Sequence, residues 1–344
     1  MKVRLALSIL AAAALVAEGG ASSVHSARAV LKAAFSLSVA DIRRLDDGQV
    51  LARTLNVENR REVATLGIVR ITTTPANYVE HLLDIATFKR ADKVLQVGTF
   101  GSSAHAGDVS SLTVDEGDLK RLRDCRVGAC GVRLSADGIE RFRREIDWRE
   151  VDASQKASSL MRELLADYVT RYRDRGAAAA VEYADTSPPL NVGREFASLV
   201  DADTSIWTYA PRLRWHLLEY PIAADEFTED FIYWSKELVH RRPVISMTHV
   251  VIAQAGDDSP VKYAIGSKQI YAMHYFDASL GVTLLMHDAA AGPRNTYVVY
   301  LNRTRIDLFD GLFGGVARHV AAGKARALVA EQLGRLQRVF EHQR

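Results

Sequence analysis

The strongest constraint on the fold is a run of five strand-like segments separated only by short breaks. They cover Phe227–Glu237, Pro243–Gln254, Val261–His274, Ala278–His287 and Tyr297–Arg305. Each is rich in β-branched and aromatic residues, and the breaks Gly256-Asp257-Asp258-Ser259-Pro260 and Ala291-Gly292-Pro293-Arg294 carry turn chemistry. Connections this short leave no room for crossover helices, so the segments predict an antiparallel meander. A long helix over about 311–341 follows. Its expected buried stripe is Phe313, Val316, Val320, Leu328, Val329, Leu333, Leu336 and Phe340.

Upstream, Glu62–Thr72 reads as a strand, and Thr74-Pro75 opens a helix over Asn77–Arg90. Val94–Phe100 reads as a second strand. Between about 112 and 220 the pattern turns helical, with segments at 118–124, 135–147, 154–175, 192–200 and 212–219. The segment 154–175 repeats apolar residues at Ala157, Leu160, Met161, Leu164, Leu165, Tyr168, Val169 and Tyr172, the spacing of one buried helix face, and Gly176 stands at its C-terminal cap position. Two strands followed by helices and then five strands predict that 104–222 interrupts a single sheet, which requires Val94–Phe100 to join the later strands.

At the N-terminus, Met1-Lys2-Val3-Arg4 is basic, Leu5–Ala17 is apolar, and Gly19 and Ala21 are small residues ahead of Ser22-Ser23. This is the tripartite pattern of a secretory signal peptide cleaved near Ala21, and its apolar run falls short of the roughly 20 residues of a membrane span. The expectation is therefore a periplasmic or secreted protein with no integral membrane span after cleavage. The resulting division is 1–21 signal peptide, 22–103 N-terminal helices and first strands, 104–222 helical insertion, and 223–344 remaining sheet and terminal helix.

A 48% hydrophobic, 25% charged composition with net charge +2 is that of an ordinary globular chain and gives no electrostatic reason to expect nucleic acid. The locally basic Lys120, Arg121, Arg123 and Arg126 are interleaved with Asp115, Glu116, Asp118 and Asp124, which reads as a solvated, salt-bridged face.

The order strand, helix pair, strand, further strands and terminal helix resembles the START-like, or SRPBCC, helix-grip superfamily. The resemblance rests on Val69-Arg70-Ile71-Thr72-Thr73-Thr74-Pro75-Ala76-Asn77-Tyr78-Val79, with Asp84 and Phe88 after it, and on the helix from Asp310 to Arg344. It covers residues 60–103 and 223–344, and the helical segment between the second and third strands departs from it. It implies an α+β fold with an antiparallel sheet around the C-terminal helix, and a cavity between them for a lipid-like apolar or amphipathic small molecule. A cyclase- or hydrolase-type enzyme using the same cavity is the alternative it implies. An envelope interaction protein with a filled core is a third reading.

Soft and aromatic strand residues suit an adaptable pocket, so Trp234, Met247, His249, Tyr271, Met273, Tyr300 and Phe313 are the expected ligand-binding residues. Gly311, Gly314, Gly315 and Gly323 suggest close approach of the terminal helix to the sheet, a ligand or another backbone. Gly311-Leu312-Phe313-Gly314-Gly315, after Arg303-Thr304-Arg305, is also a weak anion-cradle pattern. His249 and His274 are candidate general bases, with Asp277 or Ser279 nearby, though each reads more readily as a satisfied structural histidine. No His spacing of a metal site, no P-loop and no dinucleotide-binding glycine pattern occurs, so no metal or cofactor is expected. Cys125 and Cys130 flank Gly128 and, in an exported protein, read as a local disulfide; free thiols or a redox or metal role are the alternatives.

Overall fold

The structure, a computed structural model, describes residues 26–202, 205–221, 228–256, 258–288, 292, 294–309 and 314–341. Residues 1–21, expected to form a signal peptide, and the expected Gly311 and Phe313 lie outside the described residues. The chain is α+β, built on one eight-stranded sheet whose neighbouring strands are all antiparallel.

The sheet begins with β1 (Leu51–Leu55) and β2 (Glu62–Ile71). The helices α3 (Pro75–Leu83) and α4 (Ile85–Phe88) lead to β3 (Val94–Thr99). The predicted single helix is thus two pieces: it breaks at Asp84, whose carboxylate accepts from the Thr87 amide and caps the second piece. A two-residue ribbon, β4 (Glu182–Tyr183) with β5 (Leu190–Asn191), lies in the helical region. The five predicted strands follow as β6 (Thr228–Val239), β7 (Arg242–Gln254), β8 (Val261–Ala272), β9 (Phe276–His287) and β10 (Thr296–Ile306). Their spatial order is β1-β2-β10-β9-β8-β7-β6-β3. Gly98 of β3 pairs with Trp234 of β6, so the chain leaves the sheet after β3 and re-enters it beside the same strand. β1 has no counterpart in the sequence reading. It is a five-residue edge strand with two exposed positions, and its order comes from pairing with β2 rather than from its own pattern.

Strand alternation sends successive side chains to opposite faces, and both faces are covered. On one face, Leu66, Ile68, Val282, Leu284, Val299 and Leu301 pack against α1 (Ala27–Phe35), α2 (Val39–Asp46), α8 (Val192–Asp201) and α9 (Pro211–Glu219). Further along that face, α5 (Glu116–Arg123), α6 (Ala136–Glu145) and α7 (Ala153–Arg175) cover Ile232, Trp234, Ile245, Met247, Tyr271 and Met273. Gly266 of β8 admits α9: a Cβ there would lie 2.8 Å from Leu213 and 2.9 Å from Leu217.

A chain of ion pairs ties these helices to the sheet. Arg303 and Arg305 reach Glu62, Arg305 and Arg61 reach Glu195, Arg61 reaches Asp277, and Arg133 joins Asp277 to Asp307. Arg133 is buried, and its guanidinium lies 2.7 Å from the buried Asp277. Nearby, Cys125 and Cys130 form a disulfide with their Cα atoms 4.3 Å apart, and Gly128 between them has φ of +81°.

The opposite face carries α3, α4 and α10 (Gly314–Glu341) over Val69, Ile71, Ile252, Ile265, Leu285 and Val298. Gly67 is the point of closest approach: a Cβ there would lie 2.4 Å from Val329 and 2.6 Å from Leu333. The predicted stripe on α10 is only half buried. Val329, Leu333 and Phe340 are buried, whereas Val316, Val320 and Leu328 are exposed, because they lie off the side that faces the sheet. The glycines also divide. Gly314 is packed against the backbone of Phe309, while Gly315 and Gly323 face open space, so neither marks a close approach.

Candidate functional site

The α10 face of the sheet changes character along its length. Beneath α3 and α4 it is apolar. Toward the other end, where β10 finishes and α10 begins, the same alternation brings hydroxyl and amide groups to the surface. These include Ser246 and Thr248 on β7, Ser267 and Gln269 on β8, Ser279 on β9, and Asn302 on β10. Together with Tyr233, Tyr300, Gly281, Lys89 and Glu237 they line a groove of about 250 Å³. Apart from Gly281, every lining residue ends in a hydroxyl, an amide or a charge.

The cross-strand register accounts for this clustering. Thr248 faces both Tyr233 and Gln269, and Ser267 pairs with Gly281, which pairs with Asn302. Helix α10 runs along β2, with Val329 and Leu333 over Gly67 and the Gln337 amide donating to the Arg70 carbonyl. By helical spacing, Ala325, Ala322, Ala321 and Arg318 share the side of Val329. The earlier turns therefore carry mainly small side chains on that side, and no described residue of α10 lines the polar end.

Several lining groups are engaged with each other. Ser279 and Thr304 hydroxyls lie 2.8 Å apart, the Thr304 hydroxyl donates to Asn302 Oδ1 at 3.0 Å, and Asn302 Nδ2 donates to the Tyr300 phenol at 3.4 Å. At the other end Lys89 Nζ lies 2.7 Å from Glu237 Oε1, and the Ser235 hydroxyl donates to the same carboxylate. Burial works against both charges, but each outweighs it for the other. Lys89, with the Tyr233 phenol also beside it, titrates above the ordinary lysine value, and Glu237 titrates below the ordinary glutamate value. Two acceptors stand unsatisfied: Gln269 Oε1 on β8, and Thr65 Oγ1 on β2 opposite Asn302, are buried without a hydrogen-bond partner.

Of the described residues expected to bind a ligand, only Tyr300 lines this groove. Trp234, Met247, Tyr271 and Met273 belong to the core beneath α5–α7 on the opposite face. Their aromatic and thioether character serves packing there: Trp234 donates to the Asp108 carbonyl and Tyr271 to the Arg133 carbonyl. The histidines are likewise on that side. His249 is fully buried, with Nδ1 3.0 Å from the Tyr172 hydroxyl, Nε2 3.5 Å from Asp230, and the Tyr220 ring against it. Burial holds its pKa below the ordinary value despite the Asp230 carboxylate. His274 is buried with Nε2 3.1 Å from Asp118, not beside Asp277 or Ser279. Asp277 is committed to Arg133 and Arg61. Neither histidine reaches the groove, and no described lining residue is a histidine or cysteine.

The sequence carried the groove residues in plain view, but Ser, Thr, Gln and Asn at alternate strand positions read as a solvent-facing side. A signal was present in the even spacing of Thr248, Ser267, Gln269, Ser279 and Asn302 on the same face as buried valines and isoleucines. A larger, open depression of about 330 Å³ on α6 and α7 is rimmed by charged groups already paired, such as Lys156 with Glu150 and Asp152. Among the described residues, no group of three or more His, Cys, Asp or Glu side chains is placed to hold a metal ion. Nor is any described helix long and apolar enough to cross a membrane. No family model matches the chain, and no curated protein matches it.

Proposed function

We propose that the chain is an exported helix-grip binding protein of START-like type, holding an amphipathic or polar small molecule in the groove on the sheet face that also carries its C-terminal helix. The observation that carries this reading is a groove lined by hydroxyls and amides toward one end of an otherwise apolar sheet face, with Gln269 among its lining residues.

The strand order supports the helix-grip assignment. Setting β1 aside, the first strand, β2, pairs with the last, β10, and the remaining strands follow in sequence back to β3, with α3 and α4 after β2 and α10 at the end. The disulfide agrees with passage through an oxidising compartment. The catalytic alternative is disfavoured because His249 and His274 lie across the sheet from the groove. The filled-core interaction reading is disfavoured by the groove itself.

Native mass spectrometry of the protein purified from an exported compartment tests the proposal. A co-purifying small molecule that is lost in Gln269→Leu supports it. A bare mass, together with a solution structure in which side chains close the groove, overturns it.

A further inference from the structure

We infer that the groove selects a neutral, multiply hydroxylated group: a free saccharide or polyol, or the sugar headgroup of a glycolipid. This rests on the binding reading above and narrows its ligand.

Three observations carry it. First, the lining offers no apolar wall. An acyl chain laid across Thr248, Gln269, Ser267 and Asn302 would strip these groups of water and return no hydrogen bonds. Second, the charges cancel locally. Lys89 and Glu237 are paired at 2.7 Å at one end, so an anion would compete with Glu237 and a cation with Lys89. The other lining residues are neutral hydroxyls and amides. Third, those groups are two-sided. Ser, Thr and Tyr hydroxyls and the Asn and Gln amides each both donate and accept, while Gln269 Oε1 lacks a donor. A ligand hydroxyl, itself donor and acceptor, matches such a surface at every position.

Size agrees. About 250 Å³ corresponds to roughly eight liquid waters at about 30 Å³ each, and it is below the roughly 300–1,000 Å³ of drug-sized pockets. That is room for one sugar ring or a cyclic polyol, with anything larger emerging along the groove. The two phenols, Tyr233 and Tyr300, add ring faces and hydroxyls at its sides.

The test titrates the full chain with glucose, trehalose, myo-inositol, octyl glucoside, lauryldimethylamine oxide and oleate. Binding is followed by calorimetry and by tyrosine fluorescence. Saturable binding of a free sugar or inositol, weakened roughly three- to tenfold in Gln269→Leu and in Tyr300→Phe, is expected for a free-saccharide site; that range corresponds to one neutral hydrogen bond. Tyr300→Phe removes a single hydroxyl and guards against misfolding of the Gln269 variant. Binding of octyl glucoside alone, with the same sensitivity, assigns a glycolipid headgroup. Binding of oleate or the amine oxide without any sugar overturns this inference and leaves the binding-protein reading standing. Sugar binding that ignores both variants overturns the placement. If no compound in the series binds, the inference fails, and a bare native mass then removes the broader reading as well.

Discussion

Lys89 Nζ and Glu237 Oε1 meet at 2.7 Å, joining the loop after α4 to the strand that carries Tyr233. The lysine also donates to the Tyr233 phenol at 3.4 Å. Glu237 is held below its usual pKa, so the pair's contribution is complete above the unfolded carboxylate value of about 4.3 and is lost as pH falls through the lower folded value. Lys89→Met should cost about 1 kcal/mol near neutral pH, since both partners are partly exposed. The difference from the parent should begin to shrink below about pH 4.3 and vanish once the pH is below the lower folded value of Glu237. Urea unfolding of parent and variant across pH 3–8 reads both effects. A difference that persists at acidic pH would show that packing, not charge, is lost.

Gly67 and Gly315 should respond in opposite directions to the same substitution. A Cβ at Gly67 collides with Val329 and Leu333, whereas one at Gly315 meets nothing within 4 Å. Gly67→Ala is expected to destabilise by about 1–3 kcal/mol through overpacking. Gly315→Ala is expected to stabilise by about 0.5–1 kcal/mol, the ordinary helix preference. Thermal melts of the two variants check the pair, and destabilisation by Gly315→Ala would place that residue in a contact.

Lys268 is 3% exposed, donates to the Leu217 carbonyl at 3.0 Å, and has its ammonium over the Phe196 ring at 4.7 Å. Burial pulls its pKa down to about 8. The unfolded chain, with lysine near 10.4, therefore binds more protons between about pH 8 and 10.4, and this residue's effect is to raise stability as pH climbs through that window. Relative to Lys268→Met, the parent should gain on the order of 1–3 kcal/mol from pH 7.5 to 10. Denaturation midpoints of both proteins at several alkaline pH values decide it; parallel pH profiles would mean the ammonium is better solvated than its burial implies.

The Cys125–Cys130 bridge closes a short loop around Gly128. Replacing both cysteines with serine should lower stability by about 2 kcal/mol on the chain-entropy account. Intact mass with and without reductant should differ by the two hydrogens of one disulfide, and alkylation of both thiols without reduction would contradict the bridge.

Arg133 joins the turn before α6 to Asp277 and Asp307 and donates to the Phe276 carbonyl. Arg133→Met leaves Asp277, buried on the sheet, with Arg61 as its remaining ion-pair partner described here. A loss of about 3–5 kcal/mol is expected from stripping a buried charge of its partner. Equilibrium unfolding measures it; a loss below about 1 kcal/mol would indicate that Arg61 alone compensates.

Local pattern by itself determined most of the elements. The strands β6–β10 and helices α5–α10 lie within a few residues of their expected limits, because strand alternation, helical apolar spacing and the turn residues between them are properties of neighbouring residues. The pairing of Cys125 with Cys130 was legible for the same reason, since Gly128 lets a short loop turn back on itself. What local pattern could not supply is which face of the sheet each helix covers. Trp234, Met247, Tyr271 and Met273 carry the composition of a pocket wall, yet the helical segment between β3 and β6 packs onto their side and turns them into core. Val316, Val320 and Leu328 fit a helical stripe by spacing, yet they lie off the side of α10 that Val329 and Leu333 turn onto Gly67, which leaves them in solvent. The groove arises because Thr248, Gln269, Ser267, Ser279 and Asn302, on four different strands, are brought side by side by inter-strand register. Register and helix placement are set by contacts between residues tens to hundreds of positions apart, so only the tertiary structure decided where the groove lies.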